Sequence, residues 1–485
     1  MSGQTQILRL ALLAAGCLSC TFGVSAQDPQ EPAEQPDAAT KPKPAARGIP
    51  SISDPNATVE SENRTPAWQA DEGPATGMQV PGIGSPELAH SYWVPGLEYG
   101  STIQSRPLGQ VGSDGWYANN YVGGSLSLLE AWSRSQLGLN YSGGGFFSTS
   151  GDVNNGTYQQ LSLGNTINMG RLQIQLFDYF SYIPDSQFGF AGGTGLSLPG
   201  INGTLGPAIP GLGAAIVPNQ SIYAAIGPRY SNAFAAQSTY NFTRRSSVTL
   251  GGSYGLLHFT ESGNIDDDMV IGTVGYNYAL SKTDSIGVLY RFTAFHYDGQ
   301  PQAIGNHVIN AVYVKKLTQR LALSMYGGPQ ITTYRVPIGG STRSTSGSGG
   351  VTMTYAVERG SISVDYFHGL TGGGGVLLGS NTDQASATFG RQLGRVWSAS
   401  LNFGYARNSS VGSLPDTGDQ TFNDWFVGGG ISRPFGRNLN LAVSYSARFE
   451  SSNVAACTGA NCSTDYTQNM VSISLQWHTR PFVLP

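Results

Sequence analysis

From about residue 97 onward, hydrophobic and small polar residues alternate with a strict period of two. Leu439, Leu441, Val443, Tyr445, Ala447 and Phe449 form one row, and Asn440, Ala442, Ser444, Ser446 and Arg448 form the other. The same two-faced pattern runs through Val471, Ile473, Leu475 and Trp477, through Trp397, Ala399, Leu401, Phe403 and Tyr405, and through Ile286, Val288, Tyr290 and Phe292. A period of two places successive side chains on opposite faces of a strand. One face is apolar with aromatic ends, and the other is small and polar.

A second period punctuates the strands. Short Arg- or Lys-marked turns fall near Arg134-Ser135, Gly170-Arg171, Arg244-Arg245, Lys282-Thr283, Gln319-Arg320, Arg359-Gly360, Gly394-Arg395 and Gly436-Arg437. Longer polar connections alternate with them, centred near residues 112, 153, 205, 264, 301, 342, 376, 414 and 458. These connections join about 18 strands, 16 being the alternative. Short turns on one side and long loops on the other characterise a transmembrane antiparallel up-and-down β-barrel, an all-β fold.

Composition agrees. Charged residues are only 12% of the 485, and 66 are glycine. A soluble β-protein needs Lys, Glu and Thr on its outer face, whereas lipid-facing positions tolerate charge poorly. Outside the first 26 residues no apolar run reaches the roughly 18 residues a spanning helix needs. A net charge of −4 gives no reason to expect nucleic acid as a partner.

The amino-terminal part follows different rules. Arg9, the stretch Leu10–Gly16 and the small-x-small step Val24-Ser25-Ala26 predict a signal peptide over residues 1–26. Ala14-Ala15-Gly16-Cys17 keeps a lipoprotein signal open, although the residue three before the cysteine is Ala rather than Leu. Residues 27–90 are rich in Pro and Ala, lack a hydrophobic period, and read as a disordered linker. The barrel is assigned to 91–485. With the leader removed, Cys457 and Cys462 remain, a disulfide candidate in the last long loop of an exported protein.

In pattern, residues 97–480 resemble Gram-negative outer-membrane β-barrel proteins of the porin-like class. The resemblance implies outer-membrane lipid, lipopolysaccharide and the barrel-assembly machinery as partners, and passive passage of small solutes. It also implies that the third outer loop folds inward and narrows the lumen. Here that connection runs from about 184 to 228 and carries no charge between Asp185 and Arg229. Members of the class usually end on an aromatic. This chain runs past Trp477 to Phe482 and finishes on Pro485, which leaves Trp477 or Phe482 for that role.

Candidate lumen residues are Asp185 and Arg229 at the loop edges, and Arg291, Asp365 and Arg448 on polar strand faces. Isolated inward charges tune ion selectivity or pair as filling. No cofactor is expected, and no metal. Asp266-Asp267-Asp268 is the one dense acidic run and reads as a solvated turn. The six histidines show no spacing that supplies a nucleophile or an acid–base pair, so the chain is not read as an enzyme. The competing reading is a plugged barrel serving as surface anchor, adhesin or export partner for a surface polymer.

Overall fold

The computed structural model describes residues 91–483 apart from 106–114, 150–154, 184–227, 261–264, 300–301, 337–339, 374–376, 395, 412–419, 437, 454–465 and 481. The predicted signal peptide and linker therefore lie outside the described residues. The first six strands are β1 (Tyr92–Ser105), β2 (Trp116–Ala131), β3 (Ser135–Ser148), β4 (Gly156–Met169), β5 (Leu172–Ile183) and β6 (Arg229–Asn241). Then come β7 (Ser246–Phe259), β8 (Asp267–Ala279), β9 (Asp284–Tyr297), β10 (Ala303–Lys316), β11 (Leu321–Val336) and β12 (Gly340–Val357). The last are β13 (Gly360–Thr371), β14 (Ser380–Leu393), β15 (Trp397–Ser410), β16 (Thr421–Phe435), β17 (Leu439–Ser452), β18 (Tyr466–His478) and the two-residue β19 (Phe482–Val483).

Each long strand pairs antiparallel with its neighbours in sequence, and β1 pairs with both β2 and β18. The 18 long strands thus close into a barrel. Its seam runs from Gly96↔His478 to Gln104↔Met470, and Thr102 and Ser472 share a hydroxyl hydrogen bond of 3.2 Å across it. Closure satisfies the backbone donors and acceptors that an open edge would leave bare in lipid.

The two faces separate as the alternation predicts. Leu97 is 61% exposed, Val122 53% and Ile473 50%, all pointing outward. Their inward neighbours, such as Thr102, Asn119 and Ser472, are buried. Aromatic residues cluster toward the ends of the outer face, with Tyr182 stacked on Tyr230 near the long-loop rim and Tyr240 edge-on to Phe242 near the other. An apolar outer band bounded by aromatics is the surface a membrane-spanning barrel presents to lipid. On the inner face, glycine makes room for flat tyrosines. Any Cβ at Gly100 would collide with the ring of Tyr121, which is 1% exposed.

Residues near 342 differ from the expected loop. Gly340–Ser348 pair with β11 from Val336 back to Gly328, but β13 meets β12 only from Gly349 onward. This half of β12 stands beyond the wall, exposed along 340–347. A strand wetted on both faces has no apolar alternation, so its Ser/Thr/Gly run reads as a loop.

Asp178 falls on the outward face among Leu176 and Phe180. The ladder is regular there and continues through Leu163↔Asp178 and Asp178↔Phe234. Instead Asn232 on β6 donates its Nδ2 to Asp178 Oδ1 at 3.1 Å and to the Tyr179 carbonyl at 3.1 Å. Replacing Asn232 by Leu should destabilise the barrel by roughly 1.5–3 kcal/mol, the worth of a hydrogen bond to a charged group. Adding Asp178→Leu should recover most of the loss. Urea unfolding in micelles measures both, and equal midpoints for wild type and N232L would overturn the account.

The chain end is also settled by pairing. β19 joins β1 through Tyr92↔Val483 and Trp93↔Phe482, and Phe482 stacks on Trp93 with centroids 4.8 Å apart. Phe482 thus extends the closing seam beyond β18. Phe482→Ala should remove a ring pair worth about 0.5–1.5 kcal/mol. Less heat-modifiable folded protein in membrane fractions is the expected result.

Candidate functional site: the lumen and its mouth

Four of the five candidate lumen residues lie among the described ones, and all four project inward; Asp185 and the connection 184–227 lie outside the described residues. Arg229 opens β6 on the inner wall and is 2% exposed. Arg291 on β9 is buried on the same face. Asp365 accepts a hydrogen bond from Ser363 Oγ at 3.0 Å. Arg448 donates to Asp424 from Nε at 2.9 Å and from Nη2 at 2.6 Å, and its Nη2 also reaches Glu450 at 2.9 Å. These four are spread around the wall rather than gathered into one ring. Asp424 and Glu450 were not picked out in the sequence. Their even-numbered places on the polar rows of β16 and β17 were the available signal.

The three consecutive aspartates are split by the strand's own alternation. Asp266 accepts from the Phe259 backbone N–H at 2.8 Å and pairs with His258 Nδ1 at 2.5 Å. Asp268 faces outward toward His296 at 3.8 Å. Asp267 opens β8 on the inner face, directly across from Tyr297. Among the described residues no group of three His, Cys, Asp or Glu side chains could hold a metal ion. His368 similarly pairs with Asp383 at 2.7 Å, and Tyr366 donates to the same oxygen at 2.9 Å. These histidines sit on the outer face near the long-loop rim. The pair Cys457 and Cys462 lies outside the described residues.

The mouth contains a feature not anticipated from the sequence. Met269, Ile271, Phe295, Tyr297, Ile304 and Leu370 form one buried apolar cluster, joined by the partly buried Ile265, Tyr334, Leu378 and Val411. These residues come from β8 to β11, from the top of β13, and from three loops. Leu377–Gly379, the described end of the connection between β13 and β14, lie against them. Gly379 lies so close to the wall that a Cβ there would collide with Ile304 Cδ1 and come within 3.3 Å of the Tyr297 hydroxyl. β10 and β14 are four strands apart, roughly 19 Å along a wall of about 4.8 Å per strand. Only an inward fold brings Gly379 to Ile304.

The local chain permits that fold. Gly373 and Gly379 have φ of 94° and 79°, a left-handed conformation that favours glycine. Leu377 N–H donates to Gly373 O at 3.1 Å, and Val411 N–H to Gly379 O at 3.4 Å, which ties the loop to the end of β15. Leu377 is buried at 3% exposure. The run Gly372-Gly373-Gly374-Gly375-Val376-Leu377-Leu378-Gly379 combines turn freedom with apolar weight, and that combination was its sequence signal.

A closed barrel with an apolar band outside and a polar wall inside defines a membrane-spanning β-barrel. No family model matches the chain, and no curated protein matches it either. Solved structures resemble it over most of their length. The outer membrane protein opdK from Pseudomonas aeruginosa is 8% identical, with 80% of this chain and 99% of that one covered and a TM-score of 0.40. Acinetobacter baumannii OccAB3 is 12% identical over 81% and 100%, TM-score 0.40. A BenF-like porin from Pseudomonas fluorescens Pf-5 is 11% identical over 82% and 100%, TM-score 0.41. At such identities, and with TM-scores below 0.5, the function of this chain must be argued from its own geometry.

Proposed function

We propose that this chain is an outer-membrane channel through which small solutes pass passively, narrowed at its long-loop mouth. The supporting observation is the inward fold of the β13–β14 connection onto Tyr297 and Ile304 in a barrel of 18 long strands. Barrels of that strand number are wide enough for an aqueous lumen, so a loop across the mouth governs passage rather than merely filling the wall. The apolar cluster makes the mouth a constriction that resists wetting, a recognised way of gating flow.

The connection 184–227, uncharged beyond Asp185, is read as a second element narrowing the lumen. It holds Ile201, Leu205, Ile209, Leu212, Ile216, Val217 and Ile222. Burying each is worth roughly 1.5–3 kcal/mol. Its stem leaves the wall at Ile183↔Arg229, with Arg229 inward. The export route favours a Cys457–Cys462 bridge; mass spectrometry of freshly isolated protein should show no free thiol at either position.

Planar-bilayer recording of the mature protein, with and without residues 186–227, tests the channel. Steady conductance that rises several-fold on deletion, in a barrel that still folds, supports it. No conductance from either form, with heat-modifiable barrels present, transfers the function to a plugged barrel serving as surface anchor, adhesin or polymer-export partner. The exposed hairpin formed by β11 and Gly340–Gly347 is the observation favouring that second reading.

A further inference from the structure

Positive charge is sorted around this barrel. Among the described residues, only Arg335 on β11, Arg343 on β12 and Arg407 on β15 face outward at the long-loop end of the wall, and all three are exposed. Every other described lysine or arginine lies on the inner wall or at the short-turn end. Arg335 stands in register with Ser341, and Arg343 with Thr333, so the two arginines are diagonal neighbours on one face of the hairpin. Such diagonal neighbours are about 7–8 Å apart. Each arginine tops an apolar row. Ile331 lies below Arg335 on β11, Val351 below Arg343 on β12 and Phe403 below Arg407 on β15, and the last two are each 40% exposed on the outer band. The long connections carry the opposite charge. Apart from Arg106 their only charged residues are acidic, among them Asp152, Glu261, Asp416 and Asp465.

We infer that the outer face of β11 to β15 is a docking surface for lipopolysaccharide, held by its phosphorylated saccharide. The inference rests on the outer-membrane placement in the reading above, not on conductance. A guanidinium takes a phosphate through two parallel hydrogen bonds, so each arginine is a specific anion site as well as a charge. The arginines lie on the side of the barrel that lipid covers, above apolar rows. A ligand that fits this face therefore joins acyl chains, which lie along Ile331, Val351 and Phe403, to anionic groups at the height of the arginines. A small soluble anion gains nothing from the apolar rows. A soluble acidic protein would meet the acidic connections first. A phospholipid offers a single phosphate, whereas two adjacent arginines on the hairpin and a third on β15, three strands further round, suit a lipid with several anionic groups on a wide headgroup. The acidic connections repel that headgroup around the rest of the rim, and the basic sector sets where it docks.

The mature barrel in micelles, titrated with lipopolysaccharide, with the same lipopolysaccharide after dephosphorylation, and with phosphatidylglycerol, tests the surface, bound lipid being counted by native mass spectrometry. The phosphorylated saccharolipid should bind most tightly. Arg335→Gln, Arg343→Gln and Arg407→Gln should each weaken it by about fivefold, the worth of one basic residue near an anionic lipid surface. Arg391→Gln, at an exposed outward position near the short-turn end of β14, should leave the affinity unchanged. Heat-modifiable mobility confirms that each variant is folded. Equal binding of the dephosphorylated lipid or of phosphatidylglycerol would overturn the inference. So would undiminished binding by a folded barrel lacking all three arginines, or an equal loss in R391Q. No current is recorded, so a barrel that proves plugged defeats the channel reading and leaves this test intact.

Discussion

Replacing Gly379 by valine should open the channel, raising single-channel conductance several-fold in a barrel that still folds. A Cβ at this position collides with Ile304 Cδ1, and φ of 79° is strained for any β-branched residue. Ile304 Cδ1 ends a side chain and can turn aside, so the left-handed φ is the stronger force moving Leu377–Gly379 from the wall. Leu377, buried at 3%, would lose part of the roughly 1.5–3 kcal/mol its burial supplies. That cost stays local, because the 18-strand ladder does not depend on the loop. Ile304→Ala should partly reverse the effect by vacating the colliding atoms. An unchanged conductance in a folded G379V barrel would show that the segment Leu377–Gly379 does not limit flow.

Arg448→Met should be among the most destabilising single substitutions in the wall, costing about 3–5 kcal/mol. The guanidinium is the shared partner of Asp424 and Glu450, whose side chains are 2% and 1% exposed. Removing it leaves two carboxylates buried side by side without their counter-charge. Neutralising all three, with Asp424→Asn, Arg448→Met and Glu450→Gln together, should recover much of the stability, because burying charges costs desolvation whether or not they are paired. Urea midpoints in micelles measure the series. A loss below about 1 kcal/mol for R448M would place this cluster with solvated pairs, whose median worth is about 0–1 kcal/mol.

The two predictions differ in how much the sequence revealed of their residues. Arg448 could be placed on the inner face by counting from Asn440 in steps of two. Glu450, two positions on, shares that row, whereas Asp424 lies 24 positions away and meets Arg448 only through the register of β16 with β17. Asp178 illustrates the same limit. Its outward placement follows from Leu172, Ile174 and Leu176, but its hydrogen-bond donor Asn232 is 54 positions distant. The intervening connection of more than forty residues hides that pairing from any local pattern.

The alternation, the turn spacing and the shortage of charge by themselves pointed to an all-β membrane barrel of about 18 strands, the positions of its eight tight turns and the face most strand residues take. These are local properties: a period of two is set by the pleat, and a tight turn by a few residues. Tertiary structure alone decided which connection closes the mouth among the described residues. Inward bending pointed to the long third connection, whereas the inward element the structure describes is the short glycine-rich one between β13 and β14. The contact of Gly379 with Ile304 spans 75 positions and depends on the closed ladder holding β10 and β14 at opposite ends of the loop's reach. No periodicity within either segment encodes it, because the surface that receives the loop exists only after the barrel has closed.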